Sequence, residues 1–98
     1  MKNFKSINEV RKKIDEMDTK ILDLISDRRK LVIEAVKHKR KDQIVDKERI
    51  EKIINSLRKN AKKRELSEDM IEVIWRKMIQ GFIEYERKIF DKVHQKKD

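Results

Sequence analysis

The stretch "INEVRKKIDEMDTKILDLISDRRKLVIEAVKHKR", residues 7–40, decides the fold class because apolar residues recur along it three and four positions apart. This spacing is that of one face of an α-helix. The apolar seam consists of Ile7, Val10, Ile14, Met17, Ile21, Leu24, Leu31 and Ala35. With Ser6 and Glu9 as a capping box, the pattern predicts one uninterrupted helix of about 50 Å. A helix that long exceeds a lone globule of 98 residues, so it should pair with another element.

Three charged residues stand where the apolar pattern calls for hydrophobic side chains. Arg28 falls in the seam, and Lys39, eleven residues further on, lies within about 20° of the same helix face. Glu86 interrupts a second apolar stripe. Taken singly, Arg28 and Glu86 fit a buried ion pair or a residue that fixes register, and Lys39 fits a solvated helix end. Together they indicate a pocket for a small dianion with an apolar body.

Two further helices are predicted downstream, which makes the chain all-α with three helices. Residues 41–45 favour a short loop, after which Asp46 caps a helix with an apolar face at Ile50, Ile53, Ile54, Leu57 and Ala61. Residues 62–66 form the next connection, and Ser67 caps the third helix. The last residues, 94–98, are expected to fray. We expect a single domain over residues 1–98 with its core in 7–93.

The composition excludes several classes of protein. The chain has no cysteine, so a disulfide scaffold, a thiolate zinc site and thiol catalysis are excluded. Its two histidines, His38 and His94, are too far apart to suggest a metal cluster, and we expect neither a metal nor a cofactor. No window has the length and apolarity of a signal peptide or a membrane span. The expected location is the cytoplasm, without a membrane partner.

The balance of charged and apolar residues points to an oligomer and an anionic partner. Charged residues make up 48% and hydrophobic residues 37%, which leaves a thin core that a second copy could complete. The net charge of +9 also allows a basic, nucleic-acid-binding helical dimer. Against that alternative, the lysines are spread over all the helices and the five aromatic residues follow the apolar stripes. A purely structural coiled coil is disfavoured by the third helix and by the charges in the stripes.

Two stretches resemble the all-helical chorismate mutase family. "VRKKIDEMDTKILDLISDRRKLVIEAVKHK", residues 10–39, is similar to the long first helix of the family, with its Arg, I-D-x-x-D run, double Arg and terminal Lys. "DKERIEKII", residues 46–54, is similar to the D-x-x-R start of its second helix. The third helix is similar in length and pattern more than in letters. The resemblance covers roughly residues 7–90 and implies an intertwined helical-bundle homodimer that converts chorismate to prephenate for phenylalanine and tyrosine biosynthesis.

The resemblance also implies how the substrate is bound. Arg11 and Arg28 would bind the two carboxylates of chorismate, with Arg11 entering from the partner chain. Asp46 would lie near the substrate hydroxyl, and Arg49 would add to the cationic lining.

The resemblance assigns the remaining two residues to the reacting ether bond. Lys39 would donate a hydrogen bond to the ether oxygen, and Glu86 falls where the family has Gln or Glu as a second donor. The rearrangement needs a folded substrate conformer and donors where negative charge grows. On this view Arg28 interrupts the seam because a dianion fills the space beside it. Glu86 could donate only when protonated.

Three departures from the family pattern bear on the reaction. The loop between Lys39 and Arg49 is about two residues shorter than usual, which could shift Asp46. Ile50 stands where many chorismate mutases place a Glu that holds the substrate hydroxyl, and Phe82 stands where a small hydroxyl residue often lies. An aliphatic residue at the position of Ile50 also occurs in the related isochorismate pyruvate lyases. The lyase reaction is therefore the second enzymatic interpretation.

Overall fold

The computed structural model describes residues 3–95, which form three α-helices joined by short connections. Helix α1 spans Ile7–Lys37, α2 spans Lys47–Lys63 and α3 spans Glu68–Val93. A short 3₁₀ turn, Lys41–Gln43, lies between α1 and α2. The all-α class and the long first helix are thereby confirmed. Each helix in this part of the chain is too short or too polar to cross a membrane.

The chain divides into two compact units, with the boundary between Leu31 and Val32, inside α1. The first unit carries most of α1. The second carries the last turns of α1 together with α2 and α3. The single domain over residues 1–98 stays a prediction.

The start of α1 is close to the expected one, but its end is not. The Ser6 hydroxyl accepts a hydrogen bond from the Glu9 N–H at 3.2 Å, as a capping residue should. The Glu9 carboxylate, however, accepts from the Lys5 N–H at 2.7 Å instead of the Ser6 N–H that a capping box requires. The prediction that α1 reaches Arg40 was wrong, because the helix ends at Lys37.

Side chains start both later helices where the sequence predicted. The Asp46 carboxylate accepts from the Arg49 N–H at 3.0 Å and begins α2. The Ser67 hydroxyl accepts from the Met70 N–H at 3.1 Å and begins α3. Each cap satisfies a backbone donor that the helix itself leaves without a partner. The predicted loop at 41–45 holds the 3₁₀ turn, which the Gln43 side chain closes by accepting from the Arg40 N–H at 2.8 Å.

The connection between α2 and α3 is shorter than the sequence suggested, because α2 continues to Lys63. The Leu66 N–H donates to the Ala61 carbonyl at 2.9 Å and closes the last turn of α2. Glu65 takes a left-handed backbone conformation there, with φ of 58°. Glycine is the usual residue in that conformation at a helix end. The absence of a glycine here explains why the sequence alone placed this boundary poorly.

The core of the second unit is small and is centred on the end of α1. Val36 is completely buried and clusters with Ile44 and Phe90. Partly buried apolar residues surround this cluster: Val32, Ile83, Ile89 and Val93. Ile54 and Ala61 on α2 are buried as well, as the apolar face predicted for that helix requires. This core holds the end of α1 against α3.

An ion-pair network links α2 to α3 and shows that the two helices are antiparallel. Arg58 donates to Asp69 at 3.0 Å and to Glu72 at 2.8 Å, and Arg76 donates to Glu51 at 3.0 Å and to Glu72 at 2.7 Å. Positions later in α2 thus meet positions earlier in α3. The sequence analysis missed this network, although the spacing of Glu72 and Arg76, four residues apart, was a usable signal.

The same network makes the stability of the α2–α3 pair depend on pH. Hydrogen bonds from Arg76 hold the pKa of both the Glu51 and the Glu72 carboxyl below the ordinary value of 4.5. A carboxyl whose pKa is lowered in the folded state stabilises that state fully when the pH is above its ordinary pKa. This stabilisation is lost as the pH falls through the lowered pKa. The contribution is therefore fully present at neutral pH and disappears in acid.

Candidate active site

A buried carboxylate and a half-buried ammonium meet beside the end of α1. Glu86, on α3, is only 5% exposed. The Lys39 ammonium donates to one of its carboxylate oxygens at 2.9 Å. A carboxylate buried in an apolar stripe needs such a partner, because desolvating an unpaired charge is costly. Glu86, which interrupts the apolar stripe of α3, is therefore matched by Lys39, the cation near the end of α1.

The backbone geometry that places Lys39 here was not predicted from the sequence. Because α1 ends at Lys37, the argument that placed Arg28 and Lys39 on one helical line was wrong. The Lys39 N–H instead donates to the Val36 carbonyl at 3.1 Å, three residues back. Such a bond is typical of a chain that tightens as it leaves a helix. The ammonium is then fixed by Glu86 and not by the helix face.

An open cleft of about 380 Å³ lies next to the Lys39–Glu86 pair. It is lined by His38, Lys39, Asp42, Gln43, Val45, Asp46 and Lys47. The structure thus brings two of the predicted site residues, Lys39 and Asp46, to one surface. Arg49 is exposed on the first turn of α2, and its N–H is bound by the Asp46 carboxylate. Asp46 therefore both caps α2 and lines the cleft.

The other two predicted site residues, Arg11 and Arg28, belong to the first unit. Arg11 is exposed, whereas Arg28 is intermediate in exposure. Arg28 stands in the seam between Leu24 and Leu31, whose side chains are 67% and 70% exposed. Seventeen steps of about 100° separate the two arginines, which puts them on different faces of α1.

The two positions that depart from the family pattern are both half-buried. Ile50 lies on the first turn of α2, and Phe82 lies on α3, where its ring meets Tyr85 edge to face with centroids 6.5 Å apart. An aliphatic side chain at position 50 cannot accept a hydrogen bond from a substrate hydroxyl. The carboxylates that line the cleft are those of Asp42 and Asp46, and Asp46 is the one at the start of α2.

The sequence analysis missed the role of His94. It was expected to fray, but its imidazole stacks on Phe90 with ring centroids 4.1 Å apart, and its Nε2 lies 2.7 Å from the Val36 carbonyl oxygen. The spacing of Phe90 and His94, four residues apart at the end of α3, was the available signal. Within the predicted frayed tail, residues 96–98 lie outside the described residues.

The protein is small and all-helical, with a long first helix. A charged pair, Lys39 and Glu86, lies beside a polar cleft at the end of that helix. The chain belongs to the chorismate mutase type II family, whose model matches residues 10–87. This membership supports chorismate mutase activity, an isomerase reaction with chorismate as substrate. The match includes every predicted site residue and stops before His94. Comparison with curated proteins and with solved structures found no match.

Proposed function

We propose that the protein converts chorismate to prephenate in the cytoplasm, as a step toward phenylalanine and tyrosine. The observation that carries the proposal is the Lys39 ammonium held by Glu86 beside the cleft, in a chain of the chorismate mutase family. The reaction is a unimolecular rearrangement, so it requires no nucleophile. It requires a folded substrate and hydrogen-bond donors at the ether oxygen, where negative charge develops as the bond breaks.

Lys39 is the principal donor in this mechanism. Its side chain is only 29% exposed, and a partly dry site strengthens its attraction for developing negative charge. Glu86 keeps that ammonium at a fixed position through the 2.9 Å contact. Glu86 is proposed as a second donor to the same ether oxygen whenever its carboxyl carries a proton.

The charge of the cleft explains why further arginines are needed. Its lining contains two lysines and two aspartates, whose charges balance. A dianion would not be attracted to such a surface. Arg28 and Arg11 are proposed to bind its two carboxylates through bidentate hydrogen bonds, and Arg49 adds positive charge.

We expect the active form to be an intertwined homodimer in which Arg11 enters the site from the partner. The apolar seam of α1 is exposed, with Ile14 at 53%, Met17 at 58% and Leu24 at 67%, and a seam of this spacing is suited to a second helix. Sedimentation at micromolar concentration should give about 24 kDa, twice the 12.0 kDa of the chain. A compact and active 12.0 kDa species would contradict both the dimer and the role of Arg11 in trans.

The decisive experiment is to offer chorismate and isochorismate separately to the purified protein and to identify the products. Prephenate from chorismate, formed with saturation, supports the proposal. Release of pyruvate from isochorismate would favour the lyase, for which the aliphatic Ile50 is the supporting observation. Turnover of neither substrate would overturn both. Binding of nucleic acid with a steep salt dependence would then favour the basic-dimer alternative.

Glu86→Gln should raise activity on chorismate at neutral pH. A carboxylate cannot donate a hydrogen bond to the ether oxygen, whereas the amide can, so kcat/KM of the variant should exceed that of the wild-type protein by about tenfold or more. The amide oxygen can still accept from the Lys39 ammonium, so Lys39 keeps a partner. Steady-state kinetics of both proteins on chorismate measures this.

Glu84→Gln is the matched control, because Glu84 is exposed on the same helix. Its kcat/KM on chorismate should equal that of the wild-type protein. If the kcat/KM of Glu86→Gln is also unchanged, Glu86 is not the second donor to the ether oxygen.

A further inference from the structure

The carbonyl group of Val36 is a shared acceptor at the end of α1. Val36 is completely buried, and its carbonyl oxygen accepts the Lys39 N–H at 3.1 Å. The Nε2 atom of His94 lies 2.7 Å from the same oxygen. A carbonyl can only accept, so Nε2 must carry the hydrogen of this bond. The backbone that leads into Lys39 is thus tied to the end of α3.

The imidazole of His94 is held for this contact by the core. Its ring lies nearly parallel to that of Phe90, with 23° between the planes and 4.1 Å between the centroids. Phe90 is itself buried in the cluster with Val36 and Ile44. The His94 N–H also donates to the Phe90 carbonyl at 3.0 Å, which fixes the last turn of α3. Both the ring and its backbone are therefore oriented before any ligand arrives.

We propose that His94 is a positioning residue for Lys39. Helix α3 holds Lys39 at two points: Glu86 binds its ammonium, and His94 fixes the carbonyl to which its backbone N–H is bonded. This inference rests on the proposed function, because precise placement of the ammonium matters only if Lys39 donates to the substrate. His94 lies beyond the residues that the family model matches.

A pair of substitutions separates the two properties of the imidazole. His94→Phe keeps a ring that can stack on Phe90 but has no donor, whereas His94→Gln has a terminal amide that reaches the position of Nε2. We expect His94→Phe to lower kcat by about tenfold with little change in KM, because a small misplacement of a donor acts on the transition state. His94→Gln should restore most of kcat. Gln95→Ala, at the exposed neighbouring position, is the control and should behave as wild type.

A double variant tests whether the effect passes through Lys39. In a Lys39→Ala background, His94→Phe should cause no further loss of kcat, since the group that it positions is gone. An equal loss in both backgrounds would show a general structural effect and overturn the proposal. Wild-type kcat in His94→Phe alone would overturn it as well. If His94→Phe does not fold, His94→Asn, whose amide is too short to reach the Val36 carbonyl, replaces it in the comparison with His94→Gln.

Hydrogen exchange of the Lys39 amide provides a readout that needs no substrate. Exchange should be several-fold faster in His94→Phe than in wild type, unchanged in the middle of α2, and restored in His94→Gln. Unchanged exchange in His94→Phe would overturn the proposal even if chorismate is turned over. If the wild-type protein turns over neither chorismate nor isochorismate, the proposed function fails, and the positioning role fails with it whatever the exchange shows.

Discussion

Lys39→Ala is expected to lower kcat/KM for chorismate by a factor of about 10²–10³, the cost of removing one donor to a developing oxyanion. The Lys39 ammonium is held 2.9 Å from the Glu86 carboxylate, and Lys39 lines the cleft. The loss should appear mainly in kcat, because the ether oxygen becomes strongly negative only in the transition state. Steady-state kinetics with the purified protein measures it.

The same substitution removes the partner of a buried carboxylate, so a loss of stability has to be separated from a loss of catalysis. Glu86 is 5% exposed, and an unpaired charge there should lower the melting temperature. The double variant Lys39→Ala with Glu86→Gln removes both charges and should recover much of that stability while staying inactive. Lys41→Ala, at an exposed position 3.6 Å from Asp91, should leave kcat/KM unchanged. Recovery of activity in the double variant would refute the role of Lys39 as donor.

Arg28→Lys should lower kcat/KM by a factor of about 10², although the charge is kept. A carboxylate is best bound by the two parallel N–H groups of a guanidinium, and an ammonium is a point charge that cannot reproduce this geometry. Arg28→Ala should lose at least as much. The loss should appear mainly as a raised KM, because the carboxylate is bound in the ground state and in the transition state alike.

Arg29→Lys is the matched control for Arg28, because Arg29 is the exposed neighbour on α1. It should retain wild-type kinetics. The alternative role of Arg28 is to fix the register of the α1 seam, and this makes the opposite prediction: near-normal turnover, with a lower melting temperature or a weaker dimer. Thermal unfolding and sedimentation of the same variants decide between the two roles.

Much of the helical framework follows from local features of the sequence. The three- and four-residue spacing of the α1 seam predicts a helix because side chains at those spacings share one face. Asp46 and Ser67 predict the starts of α2 and α3, since their side chains satisfy the free N–H groups of the first turn. Resemblance, and not spacing, supplied the assignment of roles to individual charges.

The sequence by itself determined the class of fold, the helix starts and the set of unusual charges, because these depend on neighbours within a turn or two. Tertiary structure decided which of those charges meet. Lys39 and Glu86 are 47 positions apart, and His94 and Val36 are 58 apart, so no local period relates them. Packing around Val36 also brings α3 against the end of α1, while α1 stops at Lys37, short of the predicted end. Long-range contacts set the geometry of Lys39, because a buried carboxylate and a buried carbonyl each require a partner that only the folded chain can bring to them.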